Sequence, residues 1–251
     1  MRENFTVFIN VLFLFQCKAT VRMRANDQSA SNSHLFQVEI SLCGNSGAGK
    51  TTIGQRFLDD TCDLEAFEYR QTGDLFSRTF DDLGLRITLV DGVHGGDRYR
   101  SLSNIWFRKP HQLIVCDPLS EDSFRNLPHW IGELNQQCRM TEVSVWGVLW
   151  SKQDLVAALG KDEKEKLEQK MDAAVATARD AVANVYPCIQ FVNFRVSSMV
   201  GAPSVTNAVC EVAQLVRRRT MASSDRRGAV RLPPLCDEVK LRPKGQSRCQ
   251  C

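Results

Sequence analysis

Residues 44–51 read GNSGAGKT, a glycine-rich stretch that ends in a lysine and a threonine. It matches the pattern G-x-x-x-x-G-K-[ST], in which a glycine-rich loop joins a strand to a helix. Gly44, Gly47 and Gly49 let the backbone wrap around a polyphosphate and present N–H groups to it, and the following helix adds its positive N-terminal end. The pattern therefore predicts a phosphate-binding loop.

Two side chains at the end of this stretch supply a charge and a metal ligand. We expect Lys50 to reach the terminal phosphates, and Thr51 to offer its hydroxyl to Mg²⁺, which binds proteins through few oxygen atoms. The alternative is a glycine-rich turn that only caps a helix, but the strand predicted before it and the helix predicted after it favour phosphate binding. The candidate binding residues here are Gly44, Asn45, Ser46, Gly47, Ala48, Gly49, Lys50, Thr51 and Thr52.

Short apolar runs predict the strands. FQVEISL alternates apolar and polar residues, and DDLG (81–84) is typical of a turn between the strands DLFSRTF and LRITLV. LIVC and VSVWGVLW are unbroken apolar runs, which suit strands buried on both faces of a parallel sheet. The predicted strands are residues 36–42, 74–80, 85–90, 113–116, 143–150 and 189–192.

Helical patterns alternate with these strands. Residues 50–57 and 204–218 are predicted helices, and residues 120–134 form another, in which Pro128 predicts a kink or a late start. Residues 161–186 carry apolar side chains every three or four positions. This is typical of an amphipathic helix packed on a core, with a partner-docking helix as the alternative. The alternation predicts a three-layer α/β domain with a mostly parallel sheet.

Composition places the chain among ordinary soluble globular proteins. Of its 251 residues, 43% are hydrophobic and 24% are charged, and the formal net charge is +3. Residues 217–251 contain ten Lys and Arg against three Asp and Glu, so they carry +7 and leave −4 on residues 1–216. A basic tail behind a mildly acidic body predicts contact with lipid head groups, nucleic acid or an acidic protein.

The cysteines indicate a reducing compartment. The ten cysteines form no CxxC pair and no Cys/His grouping with zinc-ligand spacing. Cys43 and Cys116 lie inside apolar runs, where a reduced cysteine behaves as a small hydrophobic residue. Cytosolic location is therefore expected.

The apolar run FTVFINVLFLF (5–15) conflicts with that expectation. It is shorter than the roughly 20 residues that span a bilayer, and it resembles the apolar region of a signal peptide. The alternatives are an interfacial anchor and a false upstream start, with Met23 as the true start, and we favour the false start. We expect an N-terminal extension (1–34), one domain (35–219) and a basic tail (220–251).

SKQD (151–154) directly follows the predicted strand VSVWGVLW and indicates which base is bound. The carboxylate of Asp154 can accept from both the ring N–H and the exocyclic amine of guanine, a pattern that adenine does not offer. The stem of Lys152 can cover the face of the base. A polar helix start after a strand is a commonplace alternative, but the position behind a phosphate loop favours guanine recognition.

The order of these motifs resembles the Rab branch of the Ras-superfamily small GTPases. The similarity rests on GNSGAGKTT, VDG…GGDRYRSL, CDPLSEDSFRNLPHWIGEL, SKQDL and SSMVG, and it covers about residues 36–219. It implies a P-loop NTPase fold, a three-layer sandwich of about six strands with helices on both faces. It also implies GTP/GDP and Mg²⁺ binding, effector, exchange-factor and activating proteins as partners, no nucleic-acid partner, and a switch cycle in vesicle traffic.

The resemblance assigns the metal and the γ-phosphate to particular residues. Asp91 resembles the aspartate that holds Mg²⁺ through water, and Gly95 the glycine whose N–H meets the γ-phosphate. Thr72 is the candidate for the threonine that closes over Mg²⁺ in the first switch, although EYRQTGDLF is one residue short there.

The resemblance also assigns the base contacts. Lys152 and Asp154 match the guanine-reading pair. Ser151 stands where the family has asparagine, so the side-chain amide that braces the phosphate loop is lost. The loop that touches guanine from its other side is matched by Ser197, Ser198 and Met199.

The candidate catalytic residues are Lys50, His94 and Gly96. In the family a glutamine orients the attacking water, but here Gly96 occupies that position, and the segment between Asp91 and Gly95 is one residue longer. Hydrolysis by the protein alone is therefore expected to be very slow. His94 is either a substitute that contacts the water or the γ-phosphate, or a solvent-facing loop residue.

The last four residues, RCQC, resemble the Cys-x-Cys ending of Rab proteins, which receives geranylgeranyl groups. Cys249 and Cys251 lie behind the basic tail, and two lipid chains anchor stably where one binds marginally. We expect the cytoplasmic face of intracellular membranes, in exchange with the cytosol. Two alternative functions remain: a degenerate GTPase that acts as a scaffold, and a nucleotide kinase, for which no Arg-rich lid stands out.

Overall fold

The computed structural model describes residues 35–62, 74–92, 107–199 and 204–227. Six strands and five helices alternate along these residues. The strands are β1 (Phe36–Cys43), β2 (Asp74–Phe80), β3 (Leu85–Asp91), β4 (Gln112–Cys116), β5 (Val145–Trp150) and β6 (Gln190–Arg195). The helices are α1 (Lys50–Leu58), α2 (Glu121–Gln137), α3 (Gln153–Ala157), α4 (Lys161–Val185) and α5 (Ser204–Arg227).

The six strands form one sheet in the order β2-β3-β1-β4-β5-β6. β1 pairs in parallel with β3 and β4, β5 pairs in parallel with β4 and β6, and β2 alone runs antiparallel, to β3. The predicted six-stranded, mostly parallel sheet is confirmed. Because β1, β3, β4, β5 and β6 are parallel, their carboxyl ends meet at one edge of the sheet, where ligand sites of such sheets lie.

Helices pack on both faces of the sheet, since alternate residues of its central strands bury in two separate cores. In β4, Leu113 and Val115 belong to one core, and Ile114 and Cys116 belong to the other. α1 and α5 complete the first core, and α2 and α4 complete the second. The predicted three-layer architecture is therefore confirmed.

The periodic apolar face of α4 lies against the sheet and α2. Met171, Val175 and Val182 are buried in the second core, while Val185 at the end of the helix is 51% exposed. These contacts support the core-packed interpretation of the pattern and leave its apolar stripe largely covered.

Packing prevails over local sequence signals in α2. The helix begins at Glu121 and continues through Pro128, so the predicted late start is wrong. Proline removes one backbone hydrogen bond from a helix interior. The apolar side chains on either side of it, Leu127, Ile131 and Leu134, are nevertheless buried and hold the segment on the sheet.

Other element ends also differ from the sequence prediction. β5 begins at Val145 rather than at residue 143, because a turn precedes it in which the N–H of Ser144 donates to the carbonyl of Thr141. α5 continues past residue 218 to Arg227. Within the ranges described above, no helix combines the length and the apolar composition needed to cross a bilayer.

Candidate nucleotide site

The phosphate loop connects the end of β1 to α1, which begins at Lys50. Its glycines Gly44, Gly47 and Gly49 have φ values of 130°, 75° and 96°, in the region that favours glycine. A Cβ on Gly44 would lie 2.2 Å from the carbonyl oxygen of Val115, so the loop passes directly against β4. All three glycines thus meet a conformational requirement, and Gly44 meets a steric requirement as well.

Lys50 is tied to the loop that it follows. Its Nζ donates to the carbonyl oxygens of Gly44 at 2.9 Å and Asn45 at 2.7 Å, and the residue is 8% exposed. Burial lowers the pKa of Lys50, and the nearby carboxylate of Asp91 acts in the opposite direction. The ammonium group therefore lies at the loop backbone, close to a second charged side chain.

Thr51 and Asp91 bring two oxygen ligands together beside this loop. The Thr51 hydroxyl, on the first turn of α1, donates to Oδ2 of Asp91 at 2.5 Å. Burial raises the pKa of Asp91, and the hydrogen bond from Thr51 and the charge of Lys50 partly offset that effect. A hydroxyl and a carboxylate are oxygen donors that fit Mg²⁺. Thr52, next in α1, is half-buried.

Ser151 keeps a contact to the phosphate loop although the family's amide is absent. Its hydroxyl donates to the carbonyl oxygen of Ala48 at 2.7 Å and also lies 3.1 Å from that of Cys116, at the end of β4. Ser151 is 4% exposed, so this contact is shielded from water. A hydroxyl has one hydrogen to donate, whereas an amide has two. Ser151 therefore still supports the phosphate loop, but with one hydrogen to donate instead of two.

The residues predicted to read the base meet at the carboxyl ends of β5 and β6. Oδ1 of Asp154 accepts from the Ser197 hydroxyl at 2.6 Å, and the N–H of Met199 donates to the same hydroxyl oxygen at 3.2 Å. Lys152 adopts a positive φ of 52°, and its Nζ pairs with Oδ2 of Asp117 at 2.6 Å. Asp154 is thus held by the loop 197–199, while Lys152 is held by Asp117, the residue that follows β4.

Three contacts at this site were not predicted. Oδ1 of Asn45 accepts from Nε1 of Trp130 at 2.9 Å and from Nδ2 of Asn126 at 3.3 Å, which ties the phosphate loop to α2. A polar cavity of about 270 Å³ lies between the phosphate loop and α2, and it is lined partly by Ser46, Gly47 and Asp117.

The third contact joins α1 to the loop 197–199, where the carbonyl of Ser198 accepts from Nε of Arg56 at 2.7 Å. All three contacts join distant parts of the chain, so no local pattern reveals them.

Several sequence predictions lie outside the described residues. They concern the first-switch threonine, the water-orienting segment, the terminal cysteines and the apolar N-terminal run: Thr72, His94, Gly95, Gly96, Cys249, Cys251 and residues 5–15.

Comparison with known proteins agrees with this arrangement. Residues 39–154 match a family described as Ras of Complex, Roc, domain of DAPkinase. The chain is 32% identical over 114 residues to Ras-related protein Rab-18 of Caenorhabditis briggsae, covering 43% of this chain and 54% of that protein. It is 31% identical over 103 residues to GTP-binding protein ypt1 of Schizosaccharomyces pombe, covering 40% and 50%.

A third relative, Ras-related protein Rab-26 of Rattus norvegicus, is 28% identical over 107 residues, which cover 42% of each chain. The chain spans about half the length of the relatives that it matches. The similar stretch contains the phosphate loop, Asp91 and the SKQD motif, which the fold brings to one edge of the sheet. The fold, the site and these similarities together support a divergent Rab-like small GTPase domain in this chain.

Proposed function

We propose that this chain is a GTP/GDP-binding switch that is recruited to membranes in vesicle traffic and hydrolyses GTP weakly by itself. The observation that supports this is the meeting of three groups at one sheet edge: the loop 44–49, the Thr51–Asp91 pair and the Asp154–Ser197 pair. In this proposal the first group binds a polyphosphate, the second a divalent cation and the third a guanine base. A guanine nucleotide needs all three.

The phosphate side depends on the loop backbone and on Lys50. Glycines with positive φ allow neighbouring N–H groups to point toward one side, and the loop would thereby form an anion-binding concavity. The ammonium group of Lys50 would add a fixed positive charge there. Thr51 and Asp91 would hold Mg²⁺, which supplies charge neutralisation on the phosphate oxygens when bound.

The base side depends on Asp154. Its carboxylate is oriented by the hydroxyl of Ser197, which leaves the second carboxylate oxygen for the donors of guanine. Lys152 would cover the base with its alkyl stem while its Nζ is held by Asp117. Adenine presents no matching pair of donors, so guanine nucleotides are the expected ligands.

Binding is tested by titrating the full-length protein with mant-GDP and mant-ADP in the presence of Mg²⁺. We expect tight binding of mant-GDP only, and weakening by about tenfold to a hundredfold in Asp154→Asn, because the amide presents a donor where guanine needs an acceptor. Nucleotide extracted from the purified protein should be GDP or GTP. Absence of binding would instead favour the scaffold alternative.

Hydrolysis is proposed to be weak because glycine at position 96 has no side chain with which to orient water. A single-turnover GTP assay should give a rate on the order of 10⁻⁴ per second or less. His94→Ala distinguishes a histidine-assisted reaction from an unassisted one. A further loss of rate would place His94 in the mechanism, and an unchanged rate would exclude it.

Membrane recruitment is proposed to use lipid groups on Cys249 and Cys251 together with the basic tail. Mass spectrometry of the C-terminal peptide from native material is the direct test. The peptide should carry two geranylgeranyl groups, and an unmodified peptide would contradict this part of the proposal.

A further inference from the structure

Arg56, on the last turn of α1, is a buried charge to which the proposed function gives no role. It is 2% exposed. Its Nε donates to the carbonyl of Ser198 at 2.7 Å, and its Nη1 donates to the carbonyl of Asp60 at 2.5 Å. A buried guanidinium is costly unless it is hydrogen-bonded. The two carbonyls therefore hold Arg56 in place, and Arg56 in turn holds both backbone segments.

The Ser198 carbonyl belongs to the loop that orients Asp154. Ser197, the preceding residue, donates its hydroxyl to Asp154, and its hydroxyl oxygen accepts from the N–H of Met199. One chain of contacts thus runs from α1 through the loop 197–199 to the carboxylate proposed to read guanine. Arg56 provides the contact that connects this chain to α1.

Asp60, whose carbonyl accepts the second hydrogen bond from Arg56, is itself held by two other elements. Its Oδ1 accepts from the Thr206 hydroxyl of α5 at 2.9 Å, and its Oδ2 pairs with Nη1 of Arg78 on β2 at 3.2 Å. Arg78 also donates to the carbonyl of Phe57. We call Arg56, Asp60, Arg78 and Thr206 the Arg56 clasp. Because the clasp joins α1, β2 and α5, the loop 197–199 is connected through Arg56 to three elements of the fold.

We propose that Arg56 is a positioning residue that keeps the loop 197–199 against Asp154, and thereby sets both the residence time of the guanine nucleotide and the preference for its exocyclic amine. This inference rests on the proposed function. Without Arg56 the loop would lose its connection to α1, and the Asp154 carboxylate would lose its fixed orientation. The phosphate contacts would remain, since none of them involves Arg56.

The test compares the release of mant-GDP and mant-IDP from the full-length protein and its variants. Inosine lacks the exocyclic amine, so the GDP-to-IDP preference reports the Asp154 contact separately from overall binding. In Arg56→Gln we expect GDP release to accelerate about tenfold or more and the preference to shrink, because a charged hydrogen bond to the loop is lost. Arg56→Lys should show a partial effect, since one ammonium lacks the planar fork.

Arg217→Gln is the matched control. Arg217 also donates a guanidinium N–H to a loop carbonyl, that of Leu83 at 2.7 Å, but it does so at the turn between β2 and β3. Its GDP release and base preference should equal those of the wild type. If Arg56→Gln accelerated the release of GDP and IDP equally, or changed neither, the positioning role would be overturned.

A measurement without nucleotide separates this inference from the proposed function. In the nucleotide-free protein, the amide of Met199 should exchange hydrogen faster in Arg56→Gln than in the wild type or in Arg217→Gln. Unchanged exchange would overturn the positioning role whatever the protein binds. Faster exchange in a protein that binds neither GDP nor GTP would refute the proposed function while retaining the clasp.

Discussion

At the scale of single residues, long-range contacts add to the local conformation of the phosphate loop in holding it in place. The Ser151 hydroxyl bonds the carbonyl of Ala48, and the Trp130 indole bonds the side chain of Asn45. The first contact replaces an amide that the family uses, and the second adds a support from α2. A divergent sequence can therefore retain a shaped loop.

Ser151→Ala tests the first of these contacts. Removing the hydroxyl leaves the buried carbonyl of Ala48 without this donor, so we expect the free energy of unfolding to fall by about 1–3 kcal/mol. Urea denaturation measures the change. Ser224→Ala, which removes an exposed hydroxyl from α5, should stay within about 0.5 kcal/mol of the wild type. Equal stability of Ser151→Ala and the wild type would contradict a bracing role.

His111 gives the domain a pH dependence on the acid side. Its Nδ1 accepts from the N–H of Val145 at 3.2 Å, and burial, followed by the charge of Arg219, lowers its pKa from 6.5 to about 4. The unfolded chain therefore binds this proton more readily than the folded chain. Stability is full above pH 6.5 and is lost as the pH falls toward 4, by on the order of 2 kcal/mol at pH 5.

His111→Gln removes the titrating group and should flatten this dependence. Urea denaturation at pH 7.5 and pH 5.0 gives the difference for each protein, and the wild type should lose more stability than the variant. Equal losses in the two proteins would assign the acid sensitivity to other groups.

At the scale of elements, α1 packs closely against β2 because Gly54 has no side chain. A Cβ on Gly54 would lie 2.2 Å from the ring of Phe76. Gly54→Ala should gain up to about 1 kcal/mol of helix propensity but lose about 1–3 kcal/mol to overpacking, so a net loss of stability is expected. Thermal unfolding measures it.

Gly132→Ala in α2 is the matched control for this substitution. Nothing lies within 4 Å of its added Cβ, so only the gain in helix propensity applies and the variant should be more stable than the wild type. Phe76→Leu should recover part of the loss in Gly54→Ala, since contacting residues are not additive. If Gly132→Ala were less stable than the wild type, steric crowding would not explain the difference between the two glycines.

The elements also show how far sequence alone leads. Strands buried on both faces require unbroken apolar runs, so LIVC predicts β4 correctly. Pro128 misleads because the buried face of α2 outweighs one missing hydrogen bond. In the site, GNSGAGKT predicts the loop itself, since its backbone conformation is local. The contact from Arg56 to Ser198 spans 142 residues, and no local pattern encodes it.

At the scale of the whole molecule, burial in the second core determines which thiols react. Burial raises the pKa of Cys116 to about 12 and raises that of Cys43 as well, whereas Cys188 is exposed. Because thiolates are the reactive form, iodoacetamide at pH 8 should modify Cys188 in the native protein and spare Cys43 and Cys116 until denaturant is added. Peptide mass spectrometry reads the sites. If Cys116 were labelled in the native protein as fast as Cys188, the burial of the Cys116 thiol would be contradicted.

The bond between Trp130 and Asn45 has an optical consequence. Of the three tryptophans in the described part of the chain, Trp146 and Trp150 are fully buried in the sheet, while Trp130 is half-buried with its indole N–H on the phosphate loop. An indole emission spectrum depends on the polarity and hydrogen bonding around the ring. Movement of the phosphate loop should therefore change the wavelength and intensity of Trp130 emission. The unlabelled protein thus contains its own fluorescent reporter of this loop.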